Sequence, residues 1–411
     1  MGVIKSIGEL ENEDAIVKIQ DGNHGAKHPK SDDYTDNGIP FIMAKDLKSN
    51  SIDLQGCKFI PKELADNLRI GFAKSGDVLL THKGSVGNVA IVPDIESYIM
   101  LTPQVTYYRV NETKLINKFL LYAFQHPSFQ SQINSESAQS TRPYIGVTSQ
   151  RRLKVYYYDL STQQKISSIL SAFDDLIENN TRRIAILEET ARLIYREWFV
   201  NYGYPGHEND RLVDSGTDLG EVPEGWEVKK LLDVCELQTG KALKSKQFNE
   251  DGIGTKAVRI RNVRTNSSDT YTDEDFDGKY LVDNGDILVG MDGDFHMCRW
   301  ADGQSVLVQR VARFRSKNDV NLSKYFFYWA IKKPIDFFNK TITGTTVAHL
   351  GKKHIKTIEI VLPPKEEWEK INKVFDPLYE QELFLRKKNK ILKQARDLLL
   401  PKLISGKLLI R

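Results

Sequence analysis

The sequence predicts an α+β fold made by tandem duplication: two mixed α/β domains separated by long antiparallel coiled-coil helices. Three observations carry this. The chain resembles itself at an offset near 205 residues, each half holds short β-like runs around one helix-like stretch, and each half ends in a long apolar seam. The self-similarity keeps its order along the chain. Ile19-Gln20-Asp21-Gly22 meets Leu237-Gln238-Thr239-Gly240, and Ile39–Leu47 meets Thr255–Val263. Gly76-Asp77-Val78-Leu79-Leu80 meets Gly285-Asp286-Ile287-Leu288-Val289, with Gly84 against Gly293. Leu153-Lys154 pairs with Ile355-Lys356, Phe173-Asp174 with Phe375-Asp376, and Ala191-Arg192 with Ala395-Arg396. Offsets that drift slowly in one order are the mark of loop insertions in a duplicated chain.

The elements follow in order. Runs at 39–44, 78–81, 89–92, 104–110 and 154–158 are rich in Val, Ile, Tyr and Phe and bounded by turn formers, so they predict strands. A helix is predicted over 116–129, with its counterpart over 324–338. Ile166, Leu170, Phe173, Ile177, Asn180, Ile184, Leu187, Ala191, Ile194 and Trp198 then alternate by four and three, a coiled-coil seam. Gly203 and Pro205 end it. The second seam runs Ile371, Val374, Leu378, Gln381, Leu385, Leu392, Ala395 and Leu399, with Pro377 and Pro401 expected to kink or bound it. Seams of this kind bury poorly alone, and the simplest partner of each is the other. Asn180 and Gln381 are polar seam positions, read either as tolerated core residues or as residues that fix register or face another subunit. Helices of about 35–38 residues would span roughly 55 Å at 1.5 Å per residue. That would hold two domains apart by a distance on the order of 15 base pairs. The domain boundaries predicted are 1–160, 161–204 for the central helix, 205–362 with its linker, and 363–411 for the last helix.

Composition narrows the class. The chain has 411 residues and a net charge of only +3. No run of apolar residues is long enough for a membrane span, and the N-terminus does not read as a signal peptide. Cys57, Cys235 and Cys298 are far apart, which excludes a cysteine zinc site or disulfide framework and suits a reducing cytoplasm. The near-neutral sum hides local blocks. Residues 99–158 carry seven basic and two acidic side chains, and 240–264 again seven and two. Residues 265–294 reverse this with one and nine, and 295–360 return to twelve and four. Basic stretches with interleaved aromatics suit a polyanion with phosphates and base faces, and equally a mixed-charge solvated surface. Catalytic signatures are missing. There is no GxxxxGK[ST] loop, no GxGxxG after a strand, no HExxH and no nucleophile elbow. Asp292, Asp294 and His296 read as a polar turn rather than a metal site, because the matching segment 83–88 has no carboxylate.

Four features resemble the specificity (S) subunit of type I restriction–modification enzymes. They are the twice-occurring Gly-Asp-Val/Ile-Leu motif at Gly76 and Gly285, and the strand Leu350–Leu362 that ends in Leu362-Pro363-Pro364. The others are Leu187-Glu188-Glu189-Thr190-Ala191 through Trp198-Phe199-Val200, and Arg396-Asp397-Leu398-Leu399-Leu400-Pro401 through Gly406. Two departures stand out. Leu160-Ser161-Thr162 occupies the place where the pattern prefers Leu-Pro-Pro, and the first half lacks a start like Pro223-Glu224-Gly225-Trp226. The resemblance implies two target-recognition domains that read the two parts of a split double-stranded DNA site, with conserved helices setting the gap. It further implies two modification (methyltransferase) subunits, bound through the pseudo-twofold of the duplication, and restriction (translocase/endonuclease) subunits. S-adenosylmethionine, ATP and Mg are expected on those partners, with no catalytic residue and no cofactor in this chain and no membrane contact. Adenine N6 would be the methylated atom, reached by base flipping. A stand-alone nuclease or methyltransferase, or a coiled-coil adaptor, stays open as an alternative.

Base reading needs forked or amide side chains, and phosphate contacts need cations or small donors. In the first half the candidates are Lys27, His28, Lys30, Lys83, Ser85, Arg109, Arg142, Tyr144, Arg151 and Arg152. In the second they are Lys241, Lys244, Arg259, Arg261, Arg264, His296, Arg299, Thr345, Thr346, His349 and Lys352. The segments 141–150 and 344–353 occupy matching places and are the strongest candidates. Trp198 and Phe199 are expected to pack, with exposed helix faces left for partner helices.

Overall fold

The computed structural model of the chain describes residues 2–25, 27–48, 50–137, 143–342 and 348–408. Two compact units emerge, Met1–Leu176 with Leu392–Arg411, and Ile177–Ile391.

The first unit is built on an antiparallel sheet ordered Ile16–Asp21, Val105–Val110, Val78–Thr81, Val89–Ile91. The run Val78-Leu79-Leu80 has no polar alternation because both faces of this sheet are covered. Val78, Leu80 and Tyr108 face the helices Asn117–Gln125 and Pro127–Ser137 in one core. Leu79, Val105 and Tyr107 face the other way into a second core with Ile42, Ala73 and Leu101. That second core belongs to a mixed sheet ordered Lys58–Ile60, Ile39–Ile42, Ile99–Leu101, Phe72–Ala73, whose two middle strands run parallel. A further pair, Val3–Ser6 with Lys154–Tyr157, closes the unit. The helix predicted over 116–129 is two helices, because Pro127 lacks an N–H and opens a new one.

The second unit repeats the plan. Its central sheet is ordered Cys235–Thr239, Val311–Ser316, Ile287–Gly290, Met297–Arg299. Its mixed sheet again places Thr255–Val258 parallel to Ser305–Leu307, and Glu227–Lys230 pairs Glu359–Leu362. Here one helix, Lys324–Thr341, does the work of two. Ile287 and Val289 face it while Leu288 faces the mixed sheet, the same alternation as before.

The matched elements correct the last part of the repeat. Ile7 N–H donates to the Leu153 carbonyl, and Leu231 N–H donates to that of Ile358, so Leu153 corresponds to Ile358 and not to Ile355. The offset there is 205, and Leu362-Pro363-Pro364 matches Tyr157-Tyr158-Asp159 rather than Leu160-Ser161-Thr162. Asp159 replaces the prolines as a helix start: its carboxylate accepts from the Thr162 N–H at 3.0 Å.

The long helices are Leu160–Phe199 and Lys365–Ile404, 40 residues each. Pro377 and Pro401 lie inside the second and do not bound it. Within the second unit the two run antiparallel. Asn180, Glu188 and Trp198 meet Asn389, Arg386 and Phe375 in turn. In the first unit Asp174 meets Arg396, and Tyr158 donates to the Ile404 carbonyl at 3.0 Å. The polar seam partner of Asn180 is Asn389, at 2.8 Å, both side chains being buried. Gln381 is exposed instead, and its neighbour Glu382 is buried. The buried positions Ile371, Phe375, Glu382, Leu385 and Asn389 keep the regular four-and-three spacing, which passes through Glu382 and not Gln381.

Each Gly-Asp motif is a structural device. Gly76 and Gly285 take φ of 84° and 91°, a left-handed turn that glycine adopts freely. The turn buries the next carboxylate. Asp77 accepts from Arg109 Nε at 2.8 Å and Nη2 at 2.6 Å, and from the Lys74 N–H at 2.8 Å. Asp286 accepts from Arg315 Nε at 2.8 Å and Nη2 at 2.5 Å, and from the Asp283 N–H at 2.8 Å. Asp286→Ala leaves the half-buried Arg315 guanidinium with only Asp283, at 3.2 Å, and should cost about 2 kcal/mol. All five tryptophans lie at or beyond residue 198, so urea unfolding of the full chain followed by tryptophan fluorescence reports this loss directly.

Candidate nucleic-acid interface

In both units one end of the central sheet carries several of the candidate side chains. In the first unit this end carries the loop after Asp21, the loop after Thr81 and the segment 143–146. Gly22 N–H donates to the Val105 carbonyl, Gly84 N–H to that of Pro143, and Ile145 N–H to that of His82. Lys83 and Tyr144 form a β-bridge. Lys27, Lys30, Lys83, Ser85 and Tyr144 are exposed there, and His28 is half-buried with its ring 5.5 Å from Phe41.

A buried polar network holds this end in place. Thr106 donates to Asp21 at 2.8 Å, so its hydroxyl oxygen accepts from Gln150 Nε2 at 3.0 Å and from His82 Nδ1 at 2.6 Å. Burial holds the His82 imidazole below its ordinary range, against the pull of Asp21, which keeps it neutral. Gln150 also donates to the Ile145 carbonyl at 2.8 Å and accepts from Tyr108 at 2.5 Å. Burial pushes the Tyr108 phenol well above its usual value, so it remains a donor. The edge of Tyr144 rests on His82 at 5.6 Å.

The second unit builds the same end from different side chains. Asp292 and His349 form the equivalent bridge, Gly293 N–H donates to the Ala348 carbonyl, and Leu350 N–H to that of Met291. Lys241 reaches Glu274 at 3.3 Å, and the Lys244 N–H donates to the same carboxylate at 2.9 Å. His296 stands half-buried, 3.8 Å from Asp294. Lys352 is exposed on the short helix Lys352–Ile355, and Arg261 and Arg264 are exposed on the helix Ile260–Thr265. Arg259 is turned inward, bonded to Thr270 and 5.3 Å from the Phe248 ring. Burial and the Arg261 charge pull its guanidinium below the usual value. Arg142, Thr345 and Thr346 lie outside the described residues, as do parts of both strongest candidate segments.

Like Arg259, three further candidate arginines are engaged within the fold. Arg109 is the partner of Asp77. Arg151 is held bidentate by Glu11 at 2.6 and 3.0 Å, whose carboxyl that bond keeps below its ordinary value. Arg299 is 5% exposed, sandwiched 4.1 and 4.2 Å from the rings of Tyr325 and Tyr328. It reaches Glu382 at 2.5 Å and Glu188 at 3.2 Å. Burial and the Glu382 charge push Glu188 up. Burial also acts to raise Glu382, but Arg299 and Arg386 outweigh it and hold that carboxyl low. Arg152, bonded to Ser149 at 3.0 Å, keeps most of its side chain in solvent. Sequence reading missed Arg310, an exposed side chain in the turn before Val311, since only its left-handed φ of 71° marks it out. Among the described residues no group of three His, Cys, Asp or Glu side chains could hold a metal, and no helix is long and apolar enough to cross a membrane.

Comparison with known proteins settles what this architecture is. The family model described as "Type I restriction modification DNA specificity domain" matches residues 14–189 and again 223–394. The chain belongs to that family. It is the DNA-specificity component of a type I restriction–modification system and not its catalytic subunit. Such chains work with methyltransferase and restriction subunits on DNA. The MjaIX specificity subunit of Methanocaldococcus jannaschii is 26% identical over 98% of this chain and 95% of its own length. The EcoBI specificity subunit of Escherichia coli is 30% identical over 46% of this chain and 41% of its own. The crystal structure of the S subunit from M. genitalium shares the fold at a TM-score of 0.57 and 15% identity, covering 98% of this chain and 96% of that one.

The geometry around Arg299 makes it a structural partner of Glu382. Arg299→Met leaves Glu382 buried without its main counter-charge, a loss of about 3–5 kcal/mol. Tryptophan-monitored unfolding should show that loss, while the DNA sequence recognised by the assembled complex stays as in the wild type.

Proposed function

We propose that this specificity chain reads a bipartite double-stranded DNA site, one half-site with each unit. The sheet end that carries Lys83 and Tyr144 would face the first half-site, and the end that carries Asp292 and His349 the second. The observation that supports this is one backbone scaffold built twice with unlike polar side chains at matching positions, Lys83 against Asp292 and Tyr144 against His349. A shared scaffold gives both readers the same approach to the duplex. Unlike side chains give them different preferences, because base edges are told apart by the donor and acceptor pattern presented to them. Lys27, His28, Lys30, Ser85 and Arg152, with Lys241, Lys244, Arg261, Arg264, His296 and Lys352, would add phosphate and base contacts around those centres.

The two long helices would set the unspecified gap between half-sites and dock two methyltransferase subunits, one for each repeat. Exposed Leu176, Ile186 and Leu193 on the first helix, and Phe384, Ile391 and Leu398 on the second, supply apolar faces for partner helices. The partners would carry S-adenosylmethionine and methylate adenine. Restriction subunits would add ATP-driven translocation and cleavage, all in the cytoplasm.

Replacing the exposed Lys83, Ser85 and Tyr144 together by alanine tests the two-reader arrangement while keeping the buried network. Mapping of methylated adenines in cells carrying the complete system should show one half-site changed and the other intact. A change in both half-sites together would contradict it.

A further inference from the structure

We propose that Arg310 is a base-reading side chain of the second unit, directed at a guanine in its half-site and held there by Asp292. This rests on the reading of the two sheet ends as DNA-facing.

Arg310 sits in the turn between Leu307 and the central strand Val311–Ser316, at the same sheet end as Lys241 and His349. Met291 N–H donates to its carbonyl at 2.8 Å, and Gln309 N–H donates to that of Lys241 at 2.8 Å, so the turn is tied to both neighbouring loops. Its φ of 71° is a conformation that a side chain with a β-carbon adopts at a cost, and glycine or asparagine would take the position more easily. Strain of this kind persists where the side chain is needed. The side chain is 66% exposed, and its Nε forms an ion pair with Asp292 Oδ2 at 3.2 Å. The other oxygen of that carboxylate is occupied by His349 Nδ1 at 2.5 Å. Asp292 is itself only 17% exposed, so it acts as a fixed bracket between two outward-facing side chains.

This arrangement distinguishes base reading from phosphate binding. Anchoring Nε leaves Nη1 and Nη2, which have no partner among the described residues, as a planar fork matched to guanine O6 and N7. A phosphate contact needs charge but not orientation, and a carboxylate placed beside it would be repelled by the backbone. A bracketing carboxylate makes sense when the guanidinium points at a base edge. Among the described residues the first unit has no such device. Gln104 occupies the position of Arg310, with its amide oxygen accepting from the Ala44 N–H at 3.1 Å, and Lys83 and Tyr144 stand where Asp292 and His349 do. The guanine preference set by Arg310 is therefore expected in the second half-site.

Arg310→Gly removes the side chain and relieves the backbone, so the variant should melt no lower than the wild type. Methylated adenines would be mapped in cells carrying the complete system with either chain. The expected result is a wild-type motif with a guanine in the second half-site, and an R310G motif relaxed at that base pair by roughly tenfold or more, with the first half-site unchanged. Asp292→Asn should relax the same base pair. An unchanged motif, a uniform fall in methylation at every site, or a wild-type second half-site without guanine would overturn the proposal. So would loss of methylation with a lowered melting temperature, which would make the side chain structural. If wild-type cells showed no bipartite motif, the two-reader function itself would be at fault and the assignment of Arg310 would fall with it.

Discussion

A buried carboxylate bonded to a guanidinium on the neighbouring strand underlies both units. Asp77 and Asp286 are 2% and 3% exposed, and each is clasped by two nitrogens of one arginine. Removing a carboxylate from water is costly, and the attraction of a single arginine offsets that cost only when the geometry is good and further hydrogen bonds are made. Both carboxylates meet that condition, accepting a backbone N–H as well as the fork. The pair locks the turn that starts the third strand in sheet order to the far end of the central one. With that end of the sheet closed, the opposite end is where loops of varied length and chemistry can be carried without disturbing the core. Constancy at one end and variety at the other is what a duplicated reader requires.

The same logic governs the helices. The seam is apolar over most of its length, and its charged and amide interruptions include several cross-helix pairs. Asn180 bonds Asn389, and Asp174 bonds Arg396 while accepting from Tyr122 at 2.6 Å. Glu188, Glu382, Arg299 and Arg386 form one cluster. Paired polar groups contribute little net stability but strongly penalise the registers in which they would be unpaired. An offset of one turn between the helices would strand several charges at once, so register is set by exclusion rather than by apolar packing alone.

Much of this was readable in the sequence, for reasons that differ between elements. The seam from Ile166 to Trp198 was plain because ten positions repeat one spacing. The duplication was plain because Gly76-Asp77 and Gly285-Asp286 are short local motifs bound to one geometry. The role of Arg109 was not, since its partner lies 32 residues away and a basic side chain on a strand looks the same whether paired or free. Arg299 is a similar case: it reads as surface charge until Glu382, 83 residues on, is brought against it. Gln381 was assigned to the seam by spacing, but the helix turns Glu382 inward to meet that same arginine. Long-range charge pairing decides these cases, and periodicity does not report it.

The most direct test is a base-resolved map of adenine methylation in cells with the complete system and in cells lacking only this chain. Two readers on one duplicated scaffold predict a motif of two unlike half-sites separated by a fixed unspecified gap, present only when the chain is present. A single contiguous motif, or methylation that persists without the chain, would contradict the account.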